Sequence, residues 1–447
     1  MTNKKRNTIG AILLLATFAA LLNQTLMITA LPKLISVLNV NFATAQWLTT
    51  GYILMVGIST PLSATLYEKY STRQIFIGIM VVFLVGSLVA SSGANFWAIL
   101  LGRLIQAAAG GVLTTFTMIS MITINPIERR GTVMGLSMLV ISAAPAIGPT
   151  LSGVMITFLP WRALFIFIIP IMLTILIIGL FILPNYSEKQ AAKIDFKSFF
   201  SSSIGLTAIL IGISIIREQV LIALGLIVIG TLIMVYFGRR QLTLKEPFLN
   251  IRIFKVRSFS TMISLIMLVF GILLGTELVM PMFLENNQHL SGMTAGLIML
   301  PGAAINAIIS PIVGNLYDQY GYKKIFVFGF SMLMISVLPM LLLTAEFPIW
   351  LSVVTYAIRL AGVGAVMAPA TTEALKDLSP VEINHATTLT NTLRQISGSL
   401  FNTIIIVIAS IPASFVIGYR FSMIFIMVIS MLIGLIGLVY FRKERKN

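Results

Sequence analysis

An all-α membrane fold built from two related halves is predicted by three observations. Of 447 residues, 58% are hydrophobic and 10% are charged, and apolar runs of about 20 residues, long enough to span a bilayer, recur along the chain. Basic residues collect in the short gaps between those runs. One ten-residue word is also written twice, each time at the end of an apolar run: Ala64-Thr-Leu-Tyr-Glu-Lys-Tyr-Ser-Thr-Arg73 and Gly314-Asn-Leu-Tyr-Asp-Gln-Tyr-Gly-Tyr-Lys323. The match extends to Pro61 with Pro311 and to Ile75-Phe76 with Ile325-Phe326. A tandem duplication in one orientation is the sequence signature of two bundles that rock against each other.

Apolar windows place fourteen spans, near 9–31, 46–67, 74–94, 97–122, 132–158, 163–183, 199–216, 220–238, 258–284, 293–317, 323–344, 348–372, 386–411 and 417–441. Each must be helical, because only intrahelical hydrogen bonds satisfy a single segment's backbone in hydrocarbon. Met1 to Asn7 is short for the start of a cleaved signal peptide, so the first span is expected to be retained. With both chain ends in the cytoplasm, 23 Lys and Arg fall in cytoplasmic segments, and 4 (Lys33, Arg162, Arg217 and Arg420) fall outside. That asymmetry sets the orientation, and it makes the net charge of +16 a topology signal rather than a mark of nucleic-acid binding. The chain has no cysteine, and its two histidines, His289 and His385, lie near loops, so neither disulfides nor a metal centre are expected.

The repeat offset divides the chain into a six-span bundle over 1–184, an inserted transmembrane hairpin with cytoplasmic flanks over 185–257, and a second six-span bundle over 258–447. The hairpin turns tightly at Arg217-Glu218-Gln219. Its second flank, Glu246-Pro-Phe-Leu249 leading to Ile253-Phe254, reads equally as an amphipathic surface segment or as a solvated linker.

In the repeated turn a carboxylate closes one helix and cations open the next, so Glu68, Lys69 and Arg73 in the first copy and Asp318, Lys323 and Lys324 in the second can latch a cytoplasmic gate. The alternative is that these charges only satisfy topology. Arg103-Leu-Ile-Gln106 lies inside span four, where an unpaired guanidinium costs about 2.5–3.5 kcal/mol on insertion scales, so Arg103 must face protein or water. Span five carries Gly148-Pro149-Thr-Leu-Ser-Gly153, which allows a kink and a close helix approach.

These residues resemble three motifs of the major facilitator superfamily. The turns resemble Gly-x-Leu-x-Asp-Arg-x-Gly-Arg-Lys, which the second copy keeps at Gly314, Leu316, Asp318, Gly321, Lys323 and Lys324 and the first leaves at Ala64, Glu68, Ser71 and Thr72. Arg103 and Gln106 resemble an Arg-x-x-Gln-Gly motif associated with proton transfer. The span-five run resembles the antiporter motif Gly-Pro-x-x-Gly-Gly, with Ser152 in place of one glycine. Three further stretches are similar to the fourteen-span drug:proton antiporter family of bacterial multidrug efflux: Leu22 to Pro32, Trp161 to Pro170, and Asn391-Thr-Leu-Arg394-Gln395-Ile-Ser-Gly398. The resemblance implies a major facilitator fold, a place in a bacterial plasma membrane, antibiotic-resistance export driven by the proton gradient, and no cofactor. It departs at Asn23, where that family usually carries aspartate.

Most of the fourteen acidic residues fall in loops. Glu285 lies near one end of span nine, Glu373 near the inner end of span twelve, and Glu277 inside Leu273-Leu-Gly-Thr-Glu-Leu-Val-Met-Pro281, where the repeat offset maps it onto Met27, one turn from Asn23. Glu277 is therefore the expected proton carrier, with Arg103, Arg394 and Glu373 as accessory coupling residues; a permanently paired glutamate is the alternative. Asn23, Gln24, Tyr52, Gln106, Asn306, Asn391 and Gln395 are expected to line a central cavity for small amphipathic substrates. Two other readings stand beside export of drugs or dyes: an exporter or importer of one physiological metabolite, and a non-transporting membrane sensor on the same scaffold. No phosphate-cradling loop or nucleophile triad suggests an enzyme. Single cysteines test the topology without background: Ser291→Cys should react with an impermeant reagent on intact cells, and labelling of Ser187→Cys or Asn447→Cys would overturn the orientation.

Overall fold

The computed structural model describes residues 3–126, 129–186, 195–245, 247–342, 347–378, 380–412 and 414–444. The described residues form helices and no strand. In chain order these are α1 (Asn3–Leu38), α2 (Phe42–Ala45), α3 (Trp47–Ser59), α4 (Leu62–Lys69), α5 (Thr72–Ser92), α6 (Phe96–Ile124), α7 (Arg130–Phe158), α8 (Ala163–Ile166) and α9 (Ile168–Ile182). They continue with α10 (Phe196–Ile215), α11 (Val220–Thr243), α12 (Arg257–Asn286), α13 (Gly292–Leu341), α14 (Ile349–Leu375), α15 (Pro380–Ser410) and α16 (Phe415–Glu444). Among the described residues, twelve helical stretches are long and apolar enough to cross a membrane, two of them in α13, and Trp47–Ser59 and Ile147–Phe158 are shorter apolar helices. The shorter pair falls within the expected spans 46–67 and 132–158. The first is broken between α3 and α4 at Thr60-Pro61, where proline opens the new helix.

Side-chain caps mark several boundaries. Ser71 accepts from the Gln74 backbone N–H while the Gln74 side chain accepts from the Ser71 backbone N–H, a reciprocal box that starts α5 directly after the first repeated turn. The second copy uses another device: α13 runs through its turn with one non-helical residue, Gly321, at φ 73°, a left-handed value open to glycine. Asn95 and Ser291 cap α6 and α13 through the same N3 contact.

In the first half, α1 packs against α6, α7 and α9, and α5 against α6 and α9. In the second, α12 packs against α14, α15 and α16, while α13 packs on α14 and α16. Contacts between the halves run along α7–α13, α3–α15 and α1–α12. Gly10 near the start of α1 abuts Met121 near the end of α6, and Asn391 in the first half of α15 meets Met118, so the start of α1, the end of α6 and the start of α15 lie at one end of the molecule.

Helices α10 and α11 pair closely where Gly205 meets Gly230 and Gly212 meets Ala223. Only 17% of the apolar window of α11 is buried, which leaves its outer face for lipid. Leu206 and Leu210 of α10 pack on Leu54 and Ile58 of α3, so the pair lies over the α3–α15 seam. At one end Arg217 donates to the carbonyls of Ser410 and Ile411 at the end of α15. At the other, Asp195 caps α10 through Ser198 and pairs with Arg240 at 2.9 Å. Partial burial pushes the Asp195 carboxyl up, and the bonds from Arg240 and Ser198 outweigh it, holding the group below the ordinary carboxylate range. The following segment is packed and amphipathic rather than a solvated linker. Leu249 and Ile253 are buried, Arg252 and Lys255 are exposed, and the Leu249 N–H donates to Gln241 Oε1 at 3.1 Å.

Helices α5 and α6 touch where a side chain on Gly102 would overlap the backbone of Ala90, whereas Gly78 on α5 faces open space. Gly102→Leu should therefore destabilise the fold by about 1–3 kcal/mol, and Gly78→Leu should not. Thermal unfolding in detergent checks the pair, and equal midpoints would contradict the close approach.

Candidate functional site

Arg103, about two turns into α6, is 0% exposed, and its guanidinium is met almost entirely by backbone oxygen. Nη1 donates to the Asn23 carbonyl at 3.0 Å and to Gln106 Oε1 at 3.4 Å, Nη2 to the Gln24 carbonyl at 3.4 Å, and Nε to the Leu48 carbonyl at 3.4 Å. The group lies 4.0 Å from the centre of the Tyr52 ring, and Tyr52 donates to the Ala20 carbonyl. Gln106 in turn donates to Ser87 of α5 at 2.8 Å. Five sequence-predicted residues, Arg103, Gln106, Tyr52, Asn23 and Gln24, are thus one buried cluster joining α1, α3 and α6.

In the second half, Glu277 is 4% exposed in α12, and its Oε2 has no hydrogen-bond partner among the described residues. Arg359 of α14, 0% exposed and missed by the sequence reading, bonds the residue before it. Its Nε donates to Thr276 Oγ1 at 2.9 Å, and the Thr276 hydroxyl donates onward to the Ile272 carbonyl at 2.7 Å. A signal was available: of thirty basic residues, the topology count assigned twenty-seven to one side of the membrane or the other, and Arg359 is one of the three it left over. The repeat offset did not reveal it, because Arg359 stands six residues further along its helix than an equivalent of Arg103 would. Arg394 of α15 lies 5.1 Å from the centre of the Phe270 ring, with its Nε unpartnered among the described residues.

The other expected cavity residues divide. Asn391 donates to Met118 Sδ at 3.6 Å across the two halves, and Gln395 packs against Gly57 of α3. Asn306 is not brought to this group: it bonds Ser310 one turn away on α13 and faces Gly364 of α14.

Glu373 lies near the end of α14 in a hydrogen-bond network of its own. Its carboxylate accepts from Tyr317 at 2.6 Å, from Tyr440 at 2.6 Å and from Lys376 at 2.5 Å, tying α13, α14 and the end of α16 together. The first half repeats the contact in neutral form, with Tyr67 donating to Thr123 at 3.3 Å. Both tyrosines belong to the repeated word, and both pairs are separated by 56 residues. Among the gate cations, Arg73 donates to the Leu180 carbonyl at 2.6 Å, Lys69 and Lys324 each lie 5.5 Å from a tyrosine ring, Tyr70 and Tyr320, and Lys323 is exposed. The side chains of Glu68 and Asp318 lie outside the described residues.

At the opposite end the halves meet closely. Gly153 of α7 abuts Gly292 of α13 and Thr150 donates to the Gly296 carbonyl at 2.7 Å, so this part of the run lies on the seam between the halves, while Gly148 faces Thr25 of α1 within the first half. Gln46 donates to the Asn402 carbonyl at 3.2 Å and Ser399 to the Thr50 carbonyl at 3.2 Å, while Leu31, Ala45, Leu278 and Ile406 form one apolar cluster.

The family model of the Major Facilitator Superfamily matches residues 13–402. The chain is 37% identical over 415 residues to the uncharacterized MFS-type transporter YcnB of Bacillus subtilis, covering 92% of this chain and 87% of that one. It is 31% identical to the lincomycin resistance protein LmrB of Bacillus subtilis, covering 97% and 95% of the two chains. It is 24% identical to the riboflavin transporter RibZ of Clostridioides difficile, covering 89% and 87%. A solved POT family transporter in complex with 5-aminolevulinic acid shares the fold, with a TM-score of 0.74 at 14% identity over 95% of each chain. Helices that satisfy their own backbone, duplicated turns tied by tyrosine and a glycine seam between halves carry the same conclusion as these matches: the chain belongs to the major facilitator superfamily, and is a multi-pass membrane transporter of small molecules rather than an enzyme.

Proposed function

We propose that this chain is a proton-coupled exporter of amphipathic drugs or dyes that works by alternating access. The observation that carries the reading is Glu277, a carboxyl buried in a spanning helix with one oxygen left without a partner among the described residues. An ionised carboxylate left unpaired there costs several kcal/mol, so the group suits the protonated form when occluded and gives up its proton where water reaches it. Relatives named for lincomycin resistance, similar over nearly the full chain, favour export. So does the glycine seam, whose resemblance is to antiporters. A proton moving through about 100 mV releases roughly 2.3 kcal/mol, enough for a substrate gradient of about fiftyfold. The cycle needs no cofactor.

In this reading α3–α4 and α7 join the twelve longer stretches as spans, giving fourteen, arranged as six over 1–184, an inserted pair over 185–257 and six over 258–447. The basic loops put both termini in the cytoplasm of a bacterial cell. The glycine seam then closes the outer side, and the Tyr317–Glu373–Tyr440 tie belongs to the inner gate. The riboflavin transporter among the relatives favours a second reading, carriage of one physiological metabolite. Competition by a single metabolite against every transported dye would select it.

Glu277→Gln should abolish uphill efflux in proteoliposomes under an imposed pH gradient while leaving substrate binding measurable, since the amide keeps the shape but cannot change charge. Undiminished uphill transport by this variant would place coupling elsewhere. Asp318→Asn should slow transport more than Glu68→Gln, because Asp318 directly follows the tyrosine that bonds Glu373. Equal initial rates for the two variants at matched expression would refute the unequal gates.

A further inference from the structure

Between the inserted pair and the two bundles lies a cavity of about 210 Å³ that has no part in the site described above. Its walls include Ile58 of α3, Leu206 of α10, Phe237 of α11, Ile251 and Phe254 of the segment after α11, and Ile396 of α15. The first half, the second half and the insertion therefore meet around one void. Among the described residues of its lining, the polar side chains are two hydroxyls, and both are spent: Ser202 donates to the Phe199 carbonyl at 3.0 Å and Thr392 to the Thr388 carbonyl at 2.9 Å. What remains is a hydrocarbon wall. A volume below the roughly 300–1,000 Å³ of drug-sized sites suits a length of acyl chain better than a whole drug.

The level of the cavity in the membrane narrows its occupant further. Gly238 is part of the wall at the point where the apolar run of α11 gives way to Arg239 and Arg240, which is where acyl chains give way to headgroups. Three lining residues, Gly238, Ile251 and Phe254, are each followed by an exposed cation: Arg239, Arg252 and Lys255. From Pro247 to Arg257 the chain carries no acid. A side chain added at Gly238 would meet no atom within 4 Å, so the wall there is backbone beside open space. We propose that this cavity holds one acyl chain of an anionic phospholipid, whose phosphate is met by Arg239 and Lys255. Arg252 has a holding role, since its Nη2 donates to the Leu242 and Leu244 carbonyls at 2.7 and 2.9 Å and keeps the segment over the cavity. The bound chain touches α3 and α15 together, so the lipid is a ligand of the seam between the halves as well as of the inserted pair.

Native mass spectrometry tests the site on the full chain, purified in detergent and titrated with phosphatidylglycerol or with phosphatidylcholine of the same acyl chains. One phosphatidylglycerol should stay bound at collision energies that strip phosphatidylcholine. Gly238→Leu fills the cavity and should remove that lipid, whereas Gly225→Leu, on the same helix and likewise beside open space, should keep it. Combining Arg239→Gln with Lys255→Gln should weaken phosphatidylglycerol binding about fivefold per cation at low ionic strength and leave phosphatidylcholine unchanged. Equal retention of the two headgroups by the wild type, or full retention of phosphatidylglycerol by folded Gly238→Leu, overturns the proposal. If Gly238→Leu does not fold, the charge pair decides, and undiminished phosphatidylglycerol binding by that double variant overturns it. A transported dye displaced by Gly238→Leu while the phosphatidylglycerol stays bound assigns the cavity to a drug and overturns it as well. Binding is measured without transport, so failure here leaves the export reading standing, and undiminished uphill efflux by Glu277→Gln leaves the lipid site standing.

Discussion

A guanidinium inside a bilayer-spanning helix has to be met by oxygen, and much of the first half follows from how Arg103 is met. Its donors reach the carbonyls of Asn23 and Gln24 on α1 and of Leu48 on α3. Each of those carbonyls keeps a second lone pair when its helical bond is made, so the arginine is satisfied without unwinding a helix. Three helices are thereby fixed at one level, and the Tyr52 ring covers one face of the guanidinium. The second half does not solve the same problem in the same way. Its arginine reaches a side-chain hydroxyl and leaves terminal nitrogens idle, so the first half holds a settled charge and the second an unsettled one.

That asymmetry is set within a symmetric frame. Tyr67 and Tyr317 occupy the same position in a repeated word and reach the same position on the partner helix, where one finds Thr123 and the other Glu373. A neutral hydrogen bond and a charge-assisted one differ roughly twofold in strength. The terminal ends of the two bundles are consequently held with different firmness by one architecture.

The spans, the duplication and the paired turns were legible in the sequence because each rests on local periodicity or on a word that can be matched along the chain. The cluster around Arg103 was legible in part, since charge in an apolar run demands partners, although that the partners would be carbonyls was not. Arg359 was overlooked because it is displaced from the repeat register, and the partners of Glu373 because they come from residues 56 and 67 positions away. The break at Thr60-Pro61 divided a continuous apolar window, which hydropathy averages over and backbone chemistry does not. Packing of the segment from Leu249 to Ile253 depended on Gln241 turning inward, which no pattern of alternation signals.

The placement of α10 and α11 bears on how a compound dissolved in the bilayer could reach the protein interior. The pair lies over the line where α3 meets α15 and is fastened at both ends, by Arg217 to α15 and by Gln241 to the following segment. A molecule diffusing laterally in the acyl chains meets helices α10 and α11 on that side. Among the described residues α10 packs on α3 and α15, whereas the other line between the halves is made by α7 and α13. The two lines between the halves therefore present different surfaces to the acyl chains, one faced by α10 and α11 and the other by α7 and α13 themselves.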